Sequence, residues 1–211
     1  MVPTSDNIAS RLLMKPKPII FIDFDGTLCF DKYWRSLPPE RYEIVQSFIF
    51  GKDSTLVNDW MKGKYTAEEI NHLLAEKMGV PYEELWALFV RDCETMQVSL
   101  EVLEDISSLR DRYTVILITG NMDSFTRFTV PALHLDQYFD YINNSFFAGK
   151  LKDDSKGAAF MEYAKSLGVS ITDCFLIDNS LKACESFTDL GGTSYLITPE
   201  RQVGYFLKRF A

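Results

Sequence analysis

The sequence predicts a doubly wound, parallel α/β sheet with a helical segment inserted after its first strand. Four short apolar segments, at 18–24, 114–119, 174–178 and 193–198, are rich in β-branched residues and do not alternate with polar ones. Strands with this pattern are buried on both faces, as in parallel sheets. Helical patterns alternate with the later segments, and this alternation is typical of a Rossmann-like core.

The first strand carries two carboxylates that a buried strand would not tolerate in its interior. The stretch "PIIFIDFDGTLCF", residues 18–30, is apolar except for Asp23, Asp25 and the turn that follows. A buried carboxylate without a partner costs several kcal/mol. We therefore expect both acids to lie at the end of the strand, where a cation or solvent can meet them.

Residues 31–98 interrupt the strand and helix alternation with helices alone. A capping box from Thr66 to Glu69 opens the helix "AEEINHLLAEKMG", which Gly79 and Pro81 end, and "YEELWALFVRDCETM" predicts another helix. We expect a core formed by residues 1–30 and 99–211 and a helical insertion at 31–98. At its start, Tyr33, Trp34 and Arg35 are candidates either for core packing or for the wall of a substrate site.

The core resumes with a helix at 99–112, followed by the second strand. Its apolar positions recur at the helical spacing, and the same spacing predicts a helix over 156–167, before the third strand. The third and fourth strands follow after short connections. We recognise no further strand in the sequence.

Composition restricts the function classes. With 22 basic and 30 acidic residues among 211, the net charge is -8 and no basic stripe offsets it, which disfavours nucleic acid and anionic membranes as partners. The four cysteines are scattered without metal-binding spacing, which favours a reducing, cytoplasmic location. Residues 1–20 lack the apolar core of a leader, and we find no run of about eighteen apolar residues typical of a membrane span.

Polar residues follow three of the four predicted strands. Asp23 and Asp25 end the first, Thr119, Gly120 and Asn121 the second, and Asp178, Asn179 and Ser180 the third. The carboxyl ends of parallel strands share one edge, where ligands of open α/β sheets bind. Two carboxylates from different strands, Asp23 and Asp178, suit Mg²⁺, whose coordination sphere is completed by water and substrate phosphate.

Donors for a phosphate accompany these acids. The Thr119 hydroxyl and the backbone N–H groups near Gly120 can bind phosphate oxygens. Lys156, just after the candidate N-cap residue Ser155, would add a positive charge at a helix start. Paired carboxylates also permit covalent catalysis, in which one attacks phosphorus and the other transfers protons.

The ordered motifs "DFDGTL", "ITG", "SKGAAF" and "LIDNS" resemble those of the haloacid dehalogenase (HAD) superfamily, in its phosphatase branch. The resemblance implies Asp23 as the nucleophile and Asp25 as the general acid and base that also lends its carbonyl to Mg²⁺. It implies Thr119, Gly120 and Lys156 as phosphate binders and Asp178 as a metal ligand. The insertion resembles the C1-type cap of this superfamily in position and helical character.

The sequence departs from this pattern at two places. Asn179 stands beside Asp178 where many relatives carry a second acid, so it is a candidate neighbour or ligand of the metal with one formal charge fewer. The lysine motif is ambiguous because Lys150 and Lys152 lie nearby. We prefer Lys156, since "KGAAFMEYAKSLGV" resembles the phosphoserine-phosphatase-like form of the helix.

These features indicate a Mg²⁺-dependent phosphomonoesterase that acts on a small phosphorylated metabolite through an aspartyl-phosphate. Asp25 disfavours a dehalogenase, since a proton donor serves a phosphoryl leaving group. Two alternatives stay open at this point. A phosphomutase would use the same two acids, and a non-catalytic sensor would keep the fold and bind a phosphorylated ligand without turnover.

Overall fold

The computed structural model describes residues 16–52 and 54–211 and confirms the doubly wound α/β fold. The expectation that residues 1–20 lack the apolar core of a leader concerns mostly residues 1–15, which lie outside the described residues. Five strands form one parallel sheet in the order β3-β2-β1-β4-β5. They are β1 (Ile19–Ile22), β2 (Thr114–Thr119), β3 (Tyr141–Asn144), β4 (Cys174–Asp178) and β5 (Thr193–Leu196).

The helices cover both faces of this sheet. They are α1 (Pro39–Phe48), α2 (Leu56–Met61), α3 (Ala67–Met78), α4 (Tyr82–Glu94), α5 (Leu100–Leu109), α6 (Val130–Ala132), α7 (Ser145–Ala148), α8 (Ala158–Ser166), α9 (Leu181–Asp189) and α10 (Val203–Leu207). A π-helical turn, Phe125–Thr129, leads into α6. None of the helices among the described residues is both long and apolar enough to cross a bilayer.

Alternate residues of β1 belong to two separate apolar clusters. Ile20 and Ile22 pack into the larger cluster with α5, α10 and the insertion, whereas Ile19 and Phe21 pack into a smaller one with α8 and α9. Successive strand residues point to opposite faces, so each face of the sheet is covered. All four residues are fully buried, which explains why β1 reads as a continuous apolar run.

The helices of the insertion begin and end as their sequence predicts. The Thr66 side chain accepts a hydrogen bond from the Glu69 backbone N–H, and the Glu69 carboxylate accepts one from the Thr66 backbone. This capping box starts α3, and Gly79 ends it in the left-handed conformation. The described part of residues 31–98 thus contains helices and no strand of the sheet, as expected. The division of the chain into a core and an inserted unit stays a prediction.

The sequence analysis missed β3. This four-residue strand lies at the edge of the sheet, beside β2, and its sequence "YINN" ends in two asparagines. Tyr141 is 45% exposed, and of the four residues of this strand only Asn144 is buried. An edge strand this short needs no apolar run, so it lacks the pattern by which the other strands are recognised.

Asp123, just after β2, ties the insertion to the core. It is buried, and its Oδ1 accepts a hydrogen bond from Trp60 Nε1 at 2.8 Å. Its Oδ2 accepts one from the backbone N–H of Ala67 at 3.2 Å and pairs with Arg127 at 2.8 Å. Arg127 also forms a two-pronged pair with Glu68 of α3. Two helices of the insertion therefore meet at one core carboxylate.

We predict that Asp123→Ala lowers the free energy of unfolding by about 2–4 kcal/mol, because it leaves a buried indole N–H without an acceptor and breaks a partly buried ion pair. Urea denaturation measures the change. Lys64→Ala, which removes only the exposed pair with Asp59, is the control and should leave stability unchanged. A loss for Asp123→Ala no larger than that of this control would contradict the tethering role.

Candidate active site

Two buried carboxylates meet at the carboxyl ends of β1 and β4. Ile22 pairs with Ile177, so Asp23 and Asp178 lie at the same level of neighbouring strands. The Asp23 backbone N–H extends this pairing by donating to the Ile177 carbonyl at 3.0 Å. Asp23 is 4% exposed and Asp178 is fully buried. The register of the sheet thus brings together two of the acids that the sequence predicts for one site.

Lys152 lies between these two carboxylates. Its Nζ is 2.5 Å from Asp23 Oδ1 and 2.6 Å from Asp178 Oδ2, and its side chain is 11% exposed. The lysine comes from the segment between α7 and α8. The other oxygen of Asp178 accepts the backbone N–H of Ser180 at 2.8 Å, at the start of α9.

One ammonium does not balance two buried carboxylates. Burial, and after it the neighbouring charge of Asp23, raise the pKa of Asp178 to about 6 against the opposing effect of Lys152. Burial likewise raises the pKa of Asp23. Burial alone would lower the pKa of Lys152, but the two carboxylates outweigh it and raise that pKa, so the ammonium stays charged. The cluster therefore retains an excess of negative charge.

Asp25 lies in a different environment from Asp23. It is half-buried, and burial raises the pKa of its carboxyl to about 6, although Lys32 and Lys152 act in the opposite direction. Its Oδ2 accepts a hydrogen bond from Asn121 Nδ2 at 2.7 Å. Asp25 thus has a neutral hydrogen-bond partner where Asp23 has an ammonium. A carboxyl of this kind can hold a proton near neutral pH.

Thr119 provides a buried hydroxyl at the end of β2. Its side chain is 1% exposed, and among the described residues its Oγ1 has no hydrogen-bond partner. Thr27, in the turn after Asp25, has a similarly buried and unpartnered hydroxyl. Buried polar groups are nearly always paired, so two free hydroxyls beside the carboxylates fit a bound group with oxygen acceptors.

Lys156 does not reach the carboxylates. Ser155 and Lys156 both adopt positive φ, 51° and 58°, and Lys156 is exposed in a shallow depression with Ala158 and Met161. Gly157, rather than Ser155, is the residue before α8, and no side-chain cap is formed. The structure therefore brings Lys152, one of the two neighbouring alternatives, to the place that we expected Lys156 to occupy.

The preference for Lys156 rests on the resemblance of its helix to a known form, but α8 begins at Ala158, two residues after the predicted start at 156. Lys152 lies on an irregular segment after β3, the strand that the sequence analysis missed. Without that strand, the position of the segment relative to the sheet could not be predicted. The spacing from the end of an edge strand is the signal that could have favoured Lys152.

Asn179 lies beside the turn that follows Asp25. Gly26 has φ +73°, which favours glycine, and a Cβ on Gly26 would lie 2.2 Å from Asn179 Nδ2. Asn179 itself is exposed. Its amide therefore packs against the Asp25–Gly26 backbone, and a role at the metal stays a prediction.

A cavity of about 280 Å³ opens between the strand ends and the insertion. Asp25 and Gly120 contribute from the core, and Tyr42 and Gln46 contribute from α1. Its lining is Asp25, Asp31, Lys32, Tyr33, Tyr42, Gln46, Phe50, Val57, Met61, Gly120 and Met122. The cavity is therefore small, with mixed apolar and polar walls.

The three residues at the start of the insertion have different positions. Tyr33 lines the cavity, and its hydroxyl donates to Asn121. Trp34 is fully buried against Trp60 and Phe89. Arg35 donates to the Asp92 carbonyl in α4. Only Tyr33 of the three belongs to the wall of the site.

Comparison with known proteins shows similarity at the level of the fold. No family model and no curated protein sequence matches the chain. Among solved structures, a HAD family enzyme from Bacteroides thetaiotaomicron, an aspartate-to-alanine variant in complex with magnesium and inorganic phosphate, is 19% identical with a TM-score of 0.70. The match covers 86% of this chain and 94% of that one.

Two further structures show the range of this similarity. A HAD-like family hydrolase from Porphyromonas gingivalis is 20% identical, with a TM-score of 0.65 and coverage of 86% of this chain and 91% of that one. An L-2-haloacid dehalogenase from Xanthobacter autotrophicus, with chloropropionic acid covalently bound, is 13% identical with a TM-score of 0.60. That match covers 87% of this chain and 80% of the dehalogenase. The chain therefore has the fold of HAD enzymes.

We predict that Lys152→Met lowers the free energy of unfolding by about 3–5 kcal/mol at pH 8 in EDTA, because it leaves two buried carboxylates without a cation. The loss should be smaller at pH 5. The folded-state pKa of Asp178, about 6, lies above that of a free carboxyl, so protonation relieves the folded state first as the pH falls.

Urea denaturation at the two pH values measures this effect. Lys156→Met is the matched control, and it should change stability at neither pH because that lysine is exposed. Equal losses for Lys152→Met at both pH values, or an equal effect of the two lysine variants, would show that Lys152 does not compensate the carboxylates.

Proposed function

We propose that this protein is a Mg²⁺-dependent phosphomonoesterase that hydrolyses a small phosphorylated metabolite through an aspartyl-phosphate. The observation that carries the proposal is the meeting of Asp23, Asp178 and Lys152 at one sheet edge, beside a small cavity that Asp25 lines. Fold neighbours that bind magnesium and inorganic phosphate support it. The net charge of -8 favours a small ligand over nucleic acid.

The acidic cluster fits a divalent cation. No three His, Cys, Asp or Glu side chains of the described chain form a metal group. Mg²⁺, however, commonly takes only one or two carboxylates and retains water and substrate oxygens. Asp23 and Asp178, with the Asp25 carbonyl, would hold it and so neutralise the charge that Lys152 leaves. When bound, the cation would polarise the phosphoryl group and offset its charge.

The phosphate group of the substrate would be bound by neutral donors and one cation. The available donors are the Thr119 hydroxyl, which is unpartnered in the part of the chain that the structure describes, the backbone N–H groups near Gly120 and the Lys152 ammonium. An ammonium and fixed dipoles directed at a phosphoryl group stabilise the charge that it carries in the transition state. In this proposal Lys152 takes the role that the sequence analysis gave to Lys156.

The two aspartates of the first motif would divide the chemistry. A carboxylate oxygen of Asp23 attacks phosphorus, the ester P–O bond breaks, and Asp25 gives its proton to the departing oxygen. Water then attacks the aspartyl-phosphate, Asp25 takes a proton from that water, and inorganic phosphate leaves. Asp25 favours this chemistry over halide displacement, since a departing halide needs no proton.

The walls of the cavity restrict the substrate. A volume of about 280 Å³ suits a small metabolite and excludes a macromolecular substrate from full entry. Phe50, Val57 and Met61 provide apolar surface, while Lys32 and Gln46 provide polar contacts. We assign the protein to the cytoplasm because its four cysteines are free and buried, as suits a reducing compartment.

We predict Mg²⁺-dependent release of inorganic phosphate from at least one member of a panel of phosphorylated sugars, amino acids, nucleotides and cofactors, and loss of that release in EDTA. Asp23→Asn should reduce it below a few per cent of the wild-type rate, since an amide is a poor nucleophile. Asp105→Asn, an exposed acid on α5, is the control. A panel without turnover in Mg²⁺ would contradict the proposal and favour the sensor.

A further inference from the structure

The side-chain amide of Asn121 is held in one orientation. Its Oδ1 accepts a hydrogen bond from the Tyr33 hydroxyl at 2.6 Å and another from the Met122 backbone N–H at 2.9 Å. These two donors use both lone pairs of the oxygen. A flipped amide would direct its NH₂ group at the Met122 N–H, which cannot accept a hydrogen bond, and its oxygen at the Asp25 carboxylate. The Nδ2 atom of Asn121 must therefore face the other way, toward Asp25.

This orientation distinguishes the two oxygens of Asp25. Asn121 Nδ2 donates to Asp25 Oδ2 at 2.7 Å, and Asn121 is fully buried. An oxygen that accepts this bond is the poorer place for a proton, because a protonated carboxyl oxygen is a weak acceptor. A proton held by Asp25 therefore belongs on Oδ1.

Tyr33 connects this contact to the insertion. It is 7% exposed, and its ring packs against Trp34 and against Phe89 of α4. Burial raises the pKa of the Tyr33 hydroxyl well above its ordinary value, so the hydroxyl remains a donor. The chain of hydrogen bonds thus runs from a tyrosine fixed in the insertion, through Asn121, to Asp25.

We propose that Asn121 is a positioning residue for Asp25, and that Tyr33 supports it from the insertion. Together they hold the carboxyl so that Oδ1 delivers the proton to the leaving oxygen of the substrate. This inference rests on the proposed function. It adds two residues to the machinery and makes proton delivery depend on how the insertion packs against the core.

Two leaving groups of similar size test this role. The 4-nitrophenolate of 4-nitrophenyl phosphate departs with little help from a proton, whereas the phenolate of phenyl phosphate depends on it. The ratio kcat/KM reports formation of the aspartyl-phosphate, before the common hydrolysis step. General acid catalysis typically raises the rate by about 10²–10⁴. A misplaced acid should therefore lower the rate with phenyl phosphate and not with 4-nitrophenyl phosphate.

We expect Asn121→Ala to lower kcat/KM for phenyl phosphate by about 10–100-fold and that for 4-nitrophenyl phosphate by less than about threefold. Tyr33→Phe, which removes one oxygen, should act in the same direction by about 3–10-fold. In the Asn121→Ala background, Tyr33→Phe should add nothing, since the hydroxyl then has no amide to hold. Thermal unfolding establishes that each variant is folded.

Asn143→Ala and Tyr163→Phe are matched controls, because Asn143 Nδ2 donates to the Tyr163 hydroxyl at 3.3 Å within a separate asparagine and tyrosine pair. These variants should change kcat/KM for phenyl phosphate and for 4-nitrophenyl phosphate by the same factor. Equal losses on both substrates for Asn121→Ala and Tyr33→Phe would overturn the positioning role, as would the same separation in the controls. If the effects of the two variants are additive, Tyr33 does not act through Asn121 and has no part in the positioning role.

The same assay separates failure of this inference from failure of the proposed function. Wild-type protein that hydrolyses both esters in Mg²⁺, with equal losses in the variants, refutes the positioning role alone. Wild-type protein without metal-dependent hydrolysis of either ester or of any member of the metabolite panel refutes the proposed function and, with it, the role of Asp25 on which the inference depends.

Discussion

The pairing of Lys152 with Asp23 and Asp178 is the interaction on which the rest of the site depends. The parallel register brings two carboxylates to one level of β1 and β4, where both are almost fully buried. The single ammonium of Lys152 lowers the electrostatic cost of burying these carboxylates but does not neutralise both of them. The remaining negative charge is the physical basis for the divalent cation that we propose at this sheet edge. The hydroxyl of Thr119, which has no hydrogen-bond partner among the described residues, lies on the next strand.

Asp23 and Asp25 are two residues apart, yet their partners differ. Asp23 faces the Lys152 ammonium, which favours an ionised carboxylate, as the nucleophilic role that we propose for it requires. Asp25 accepts a neutral amide N–H from Asn121, which leaves room for a proton on its other oxygen. The partner of Asp23 comes from the core, whereas Asn121 is in turn held by Tyr33 of the insertion. The core therefore sets the surroundings of Asp23, and the insertion contributes to those of Asp25.

The elements with strong local signals were predictable from the sequence. The apolar run before Asp23 and the Thr66 capping box specify β1 and the start of α3, because burial on two faces and helix capping each require particular residues. The strand ends likewise predicted that Asp23 and Asp178 meet. The choice of Lys152 over Lys150 and Lys156 was not predictable, since Lys152 lies after an edge strand without an apolar pattern. The partnership of Tyr33 and Asn121 depends on tertiary packing between residues 88 positions apart.

The most direct test of the central claim is to trap the covalent intermediate. In Asp25→Asn, 4-nitrophenyl phosphate should still phosphorylate the protein, because its leaving group needs little proton help, while hydrolysis of the intermediate should be slow. Rapid acid quenching followed by mass spectrometry of the peptide that contains residues 18–30 locates the phosphoryl group. We predict a hydroxylamine-sensitive phosphoryl group on Asp23. Turnover without protein-bound phosphate, or a phosphoryl group on another residue, would contradict the assignment.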